Sequence, residues 1–160
     1  MKPMRSFLAA VLVASLSSVA MSDDTLRPPK PTYDPELAAK LGADERGMKM
    51  YVLCILKTGP KDAEIKGKAR DEIFAGHFAN ITRLADEGKL AVAGPFGDNA
   101  QSYRGLYIFN VASLAEAEKL VMLDPAVKAG VFVPELTPWY GTAAMMTVTD
   151  THKKLVKPKS

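Results

Sequence analysis

Apolar residues along the chain fall into short unbroken runs separated by longer stretches in which they recur at helical spacing. Met50 to Lys57 is a nearly continuous apolar run, the pattern of a strand buried on both faces. Thr58-Gly59-Pro60 breaks it. Across residues 64–87, Ile65, Ala69, Ile73, His77, Ile81 and Leu84 fall one or two turns apart. Phe74, Phe78 and Ala85 widen that stripe, and Gly88 supplies a helix stop. Lys89 to Phe96 reads as a second strand ending at Gly94-Pro95. Gly97 to Arg104 is a polar loop, and Gly105 to Val111 reads as a third strand. Ser113, with Glu116 three residues on, is a capping box that opens a second helix. That helix runs through Ala117, Leu120 and Val121 to Leu123, and Asp124-Pro125 ends it. Residues 130–139 hold a fourth strand.

The order strand, helix, strand, strand, helix, strand predicts an α+β domain over residues 48–141. Two βαβ halves of this kind build a ferredoxin-like βαββαβ fold, with a four-stranded antiparallel sheet and both helices on one face. The other face is then bare, yet the run Tyr51 to Leu56 puts apolar side chains on both sides. A bare apolar sheet in so small a domain calls for a cover, and a second copy is the usual one. The pattern therefore predicts a homodimer with sheets packed face to face, a dimeric α+β barrel.

The flanks read differently. Residues 1–20 have the three parts of a secretory signal. Lys2 and Arg5 give the positive start, Phe7 to Leu16 the apolar stretch, and Ser18-Val19-Ala20 the small residues of a cleavage site after Ala20. The apolar stretch is short of the roughly 20 residues a membrane span needs, so no stable span is expected after cleavage. An uncleaved anchor stays open as the alternative. The expected address is the periplasm of a bacterium or its exterior. Residues 21–47 form a Pro-rich linker, with Pro28, Pro29, Pro31 and Pro35 excluding regular structure. Within it, Asp34-Pro35 opens a short helix that Gly42 ends. Residues 142–160 read as a basic, solvated tail, with Lys153, Lys154, Lys157 and Lys159 in the last eight positions.

Charge and composition narrow the possibilities. The formal charge of +3 lies mainly in the leader and the tail, so the folded part is near neutral and offers no basic face for nucleic acid. The single cysteine, Cys54, sits inside an apolar strand, as a small buried hydrophobe would; an intermolecular disulfide or a nucleophile is the lesser reading. Two histidines, His77 and His152, with no spaced ligand set, do not make a zinc site. No phosphate-binding loop and no Gly-x-Ser-x-Gly elbow occurs. Trp139 and Tyr140 fit packing positions at the end of the last strand.

The ordered set His77, Gly88-Lys89-Leu90-Ala91-Val92-Ala93-Gly94-Pro95, Gly105-Leu106-Tyr107-Ile108-Phe109, Asp124-Pro125 through Ala129-Gly130-Val131, and Pro138-Trp139 resembles the YCII-related (YciI-like) family. The resemblance covers about 90 residues. It implies the dimeric ferredoxin-like fold already read from the periods, and no cofactor. It also implies a site in which His77 and Asp124 converge, with Phe74, Gly94, Pro95 and Leu106 about the pocket.

In that reading His77 is a general acid or base and Asp124 orients it. The expected activity is lyase- or isomerase-like, on a small cyclic or aromatic substrate. Read without the family, His77 fits a core histidine with a local hydrogen bond, and Asp124 before proline fits a turn residue. The chain also departs from the family pattern. Phe74 stands where an arginine is common, and Leu106 where a small hydroxyl residue is common. Both changes make the pocket more apolar. A non-catalytic module binding a small ligand, or an envelope interaction protein held on the Pro-rich spacer, is the alternative.

Overall fold

A strand that is apolar on both faces must be covered on both, and β1 (Met48–Thr58) meets this need from a central place in the sheet. The computed structural model describes residues 32–157. The expected leader and linker residues 21–31 lie outside the described residues. The strands β2 (Leu90–Pro95), β3 (Tyr103–Phe109) and β4 (Phe132–Thr142) join β1 in the order β2-β3-β1-β4, every pair antiparallel. Cys54 stands opposite Tyr107 on one side and Leu136 on the other. This is the α+β, ferredoxin-like arrangement expected from the periods.

The helices follow their local signals. Helix α1 (Pro35–Leu41) starts where the Asp34 carboxylate accepts the Leu37 N–H at 2.9 Å. Helix α2 (Gly67–Asp86) ends just before Gly88, which takes a φ of 68° that a side chain would resist. Helix α3 (Leu114–Val121) begins with Ser113 Oγ accepting the Glu116 N–H at 3.2 Å. Asp124-Pro125 does more than end this helix. Asp124 caps a further short helix, α4 (Pro125–Lys128), with proline at its first turn.

Strand alternation sorts the core into two layers. Val52, Cys54, Leu56, Tyr107 and Phe109 face α2, α3 and α4, and pack with Leu84, Ala117, Val121, Val127 and Val131. Tyr51, Ala91 and Ile108 are buried on the opposite face, where Leu53, Val92, Leu106 and Trp139 join them.

That second face is not bare, contrary to expectation. Residues after β4 form a 3-10 turn (Ala143–Thr147) and helix α5 (Val148–Leu155), where the sequence pattern predicts a solvated tail. Met145 and Met146 pack into the second-face cluster, and Lys153 pairs with Asp86 of α2 at 2.8 Å. The lysines drew the reading toward solvent, whereas Ala143, Met145 and Met146 supply the apolar contacts that hold the segment down. Leu53, Ile55 and Leu106 stay only half-buried on the same face. Among the described residues, no helix is long and apolar enough to cross a membrane.

Candidate active site

The site is built by three elements that each contribute one polar group to an apolar interior. His77 lies in the middle of α2, on the stripe that faces the sheet. Asp124 stands at the start of α4 and is fully buried. Tyr107 points from β3 toward the helices, as Gly105 and Phe109 do. Gly76 brings α2 and α4 together. A Cβ built on it would lie 2.9 Å from Pro125 Cγ, so any larger residue would hold the two helices apart.

His77 Nδ1 lies 2.9 Å and 3.0 Å from the two Asp124 carboxylate oxygens. The Tyr107 hydroxyl donates to Asp124 Oδ2 at 2.8 Å, and the Ala126 N–H donates to Oδ1 at 2.9 Å. The carboxylate therefore accepts from three donors. Burial alone would raise the Asp124 pKa, but the bonds from His77, Tyr107 and Ala126 outweigh it and hold the group below the ordinary carboxylate value. Burial, followed by the neighbouring Asp124 charge, raises the Tyr107 phenol, which keeps its proton and remains a donor.

An ionised carboxylate only accepts, so the proton between it and the ring belongs to Nδ1. In the neutral ring, Nε2 is then the unprotonated nitrogen. No protein group among the described residues bonds Nε2. Nor is it sealed from solvent, since Asn80 Nδ2 is the one fully buried side-chain polar atom without a partner among those residues. The ring plane is fixed by its neighbours. Tyr107 stacks on it at 6.1 Å, and Phe74, Phe78 and Phe132 meet it edge-on at 5.7, 5.3 and 5.5 Å.

His77 opens onto a cavity of about 410 Å³ between α2, β2, β3 and the start of β4. Its wall is mainly aromatic and aliphatic, including Phe74, Phe78, Ile81, Phe96 and Phe132, and among the described residues Arg104 is its one charged side chain. Phe74, Gly94 and Pro95 line it, as the sequence reading expects. Leu106 does not. It belongs to the cluster on the opposite face, because successive strand residues alternate and Tyr107 takes the inward position. The loop after Pro95 is tied down: the Asn99 side chain bonds the backbone of Gly97 and Tyr103, and Thr58 N–H donates to Ser102 O at 3.0 Å.

Asp124 thus sits at the turn after α3 and is also the partner of a histidine, the two roles the sequence offers, and it caps α4 besides. Tyr107 and Arg104 escaped the sequence reading. Tyr107 carried a signal, since alternation from Gly105 to Phe109 places its hydroxyl on the helix side of an apolar strand. Cys54 lies beneath the same layer with no exposure, and burial pushes its thiol up to about 12, with the Asp124 charge adding to the shift. It is a protonated core residue and not a nucleophile. Among the described residues, no three His, Cys, Asp or Glu side chains gather as a metal-ligand set.

Comparison with known proteins places this geometry in context. The YCII-related domain family matches residues 50–140, which run from the third residue of β1 through nearly all of β4. The Bacillus subtilis (strain 168) protein YjpA, itself uncharacterized, is 36% identical over 63 residues, covering 39% of this chain and 71% of YjpA. Among solved structures, 5-chloro-2-hydroxyhydroquinone dehydrochlorinase (TftG) from Burkholderia phenoliruptrix AC1100, in complex with 2,5-dihydroxybenzoquinone, is 25% identical. It aligns over 56% of this chain and 92% of its own, with a TM-score of 0.41.

Proposed function

The chain belongs to the YCII-related domain family, and on that footing we propose that it is an enzyme in which His77 moves protons on a small cyclic or aromatic substrate. One observation carries the reading. The contact of Nδ1 with Asp124 leaves Nε2 as a base without a protein partner among the described residues, on a side chain that lines a largely apolar cavity. Nε2 takes a proton from a substrate carbon, and the C–H electron pair is delocalised onto an adjacent carbonyl. Asp124 stabilises the imidazolium that forms, and Tyr107 holds the carboxylate in line with it. Return of the proton to a second carbon completes an isomerisation. Loss of a leaving group from the neighbouring carbon with its bonding pair completes an elimination. No cofactor is required for either outcome.

Proton abstraction is read directly as enzyme-catalysed exchange of deuterium from solvent into cyclic 1,3-diketones and hydroxyquinones. Wild-type protein is expected to accelerate exchange in at least one of them. His77→Gln is expected to lower that rate by about 10²- to 10⁴-fold, the usual weight of a positioned general base. Exchange that survives His77→Gln undiminished overturns the reading. The apolar wall also supports a second reading, a binding module without turnover, for which saturable binding with no exchange is the signature.

The assembly proposed is a homodimer through the second sheet face, supported by the half-buried Leu53, Ile55 and Leu106 there. Export to the periplasm or beyond is proposed on the leader pattern of residues 1–20 alone.

A further inference from the structure

Among the described residues the cavity has one base and one cation, and their placement narrows what it takes. Arg104 lines the cavity from β3, while the helix wall opposite, Phe74 and Phe78, offers no charge. A second arginine, Arg70, lies over the lining residue Phe74, its Cζ 5.0 Å from the ring centre, and the two arginines differ in how far they are used. Arg70 is engaged on both terminal nitrogens. Its Nη2 pairs with Asp62 Oδ1 at 2.7 Å, and its Nη1 donates to the carbonyls of Asp62 and Ile65. Among the described residues, Arg104 gives only Nη1, to Asp62 Oδ2 at 3.1 Å. A guanidinium has five N–H donors in a fixed fork, so most of Arg104 is unspent. One carboxylate is shared by two guanidinium groups, which leaves a positive charge uncompensated at this point.

The position of that charge relative to the base is set by Phe132. The Phe132 ring centre lies 5.5 Å from the His77 ring and 5.8 Å from Arg104 Cζ. Both groups line the cavity, and both pack against this one ring. A guanidinium lined up beside apolar surface favours a planar oxyanion, a carboxylate, phenolate or enolate, over a neutral group of the same shape.

We infer that Arg104 is the specificity-determining residue of the cavity, and that it selects a small planar ring compound bearing an oxyanion, which it holds while the far side of the ring faces His77. This rests on the proposed use of the cavity for ring substrates and adds the charge that the substrate carries.

Benzoate and benzamide, equal in shape and different in charge, separate the two ideas. Each is titrated into the full-length protein, and binding is followed through the His77 ring signals by NMR. Benzoate is expected to bind wild type at least tenfold more tightly than benzamide. Arg104→Gln is expected to remove that preference, and Arg104→Lys to keep part of it. Asp62→Asn, which takes away the competing carboxylate, is expected to strengthen benzoate binding, the opposite of what loss of a merely structural ion pair would do. Equal binding of benzoate to wild type and Arg104→Gln overturns the inference and leaves the cavity's use for ring ligands standing. Failure of both probes to move the His77 signals overturns the inference together with the reading of the cavity beneath it.

Discussion

Gly76 and Pro125 touch where α2 meets α4: a Cβ on Gly76 would stand 2.9 Å from Pro125 Cγ. Glycine inside a helix normally costs about 0.5–1 kcal/mol relative to alanine, so Gly76→Ala would ordinarily stabilise α2. Here the opposite is expected. The added methyl pushes α4 away and stretches the contact between His77 and Asp124. Thermal denaturation of Gly76→Ala should show a lower Tm than wild type. Pro125→Ala, which removes Cγ, should recover most of the loss in the double variant. A Gly76→Ala protein more stable than wild type would mean that the close approach is not needed.

Tyr107→Phe deletes one of three donors to a fully buried carboxylate and leaves the ring's packing in place. An unmet hydrogen-bond demand of this kind costs about 1–3 kcal/mol. Urea unfolding near neutral pH should show a loss in that range with an unchanged m-value. A loss too small to measure would mean that Asp124 finds a replacement partner.

Asp124 makes stability depend on pH with a definite sign. Its folded pKa lies below the ordinary value of 3.8, so the folded state favours the ionised form. The stabilisation is fully present above the ordinary carboxylate range and is lost as pH falls from there through the lower folded value. Asp124→Asn should be less stable than wild type at neutral pH, and the gap should narrow as pH drops through that window. Asp62 and Glu116 are held low as well. For that reason the difference between the two proteins, and not either curve alone, isolates Asp124. A gap that is constant with pH would contradict the assignment.

A dimer through the second sheet face should depend on Leu53 and Ile55, which lie on that face and are half-buried in the single chain. Light scattering during gel filtration is expected to give a dimer for wild type and a monomer for a Leu53→Glu, Ile55→Glu double variant that stays folded by circular dichroism. A wild-type monomer at micromolar concentration would remove the proposed assembly.

Much of this architecture was legible in the chain because local pattern and tertiary role agree there. The run Met50 to Lys57 reads as a strand because both its faces are used, and Ser113 reads as a helix cap because its hydroxyl accepts the Glu116 N–H. Legibility failed where one residue serves two purposes or where contacts run far along the chain. Asp124 looked like the end of one helix because its role as the cap of the next depends on four residues only, Pro125 to Lys128. The family resemblance places Leu106 at the pocket, but strand alternation gives the inward position to Tyr107. The C-terminal residues looked solvated because their lysines outnumber the few apolar positions that dock, Ala143, Met145 and Met146. The role of Arg104 could not be read at all, since it depends on which of two arginines Asp62 leaves free.

Everything proposed for the site turns on Asp124 placing the His77 proton on Nδ1 and leaving Nε2 as the free base. Long-range proton–nitrogen correlation spectra of the His77 ring, taken at a pH where the ring is neutral, read the tautomer directly. Wild type is expected to show a protonated Nδ1 and a bare Nε2, with that preference weakened or reversed in Asp124→Asn. A neutral wild-type ring carrying its proton on Nε2 would contradict it, because the nitrogen facing the cavity would then be a donor with no base to offer.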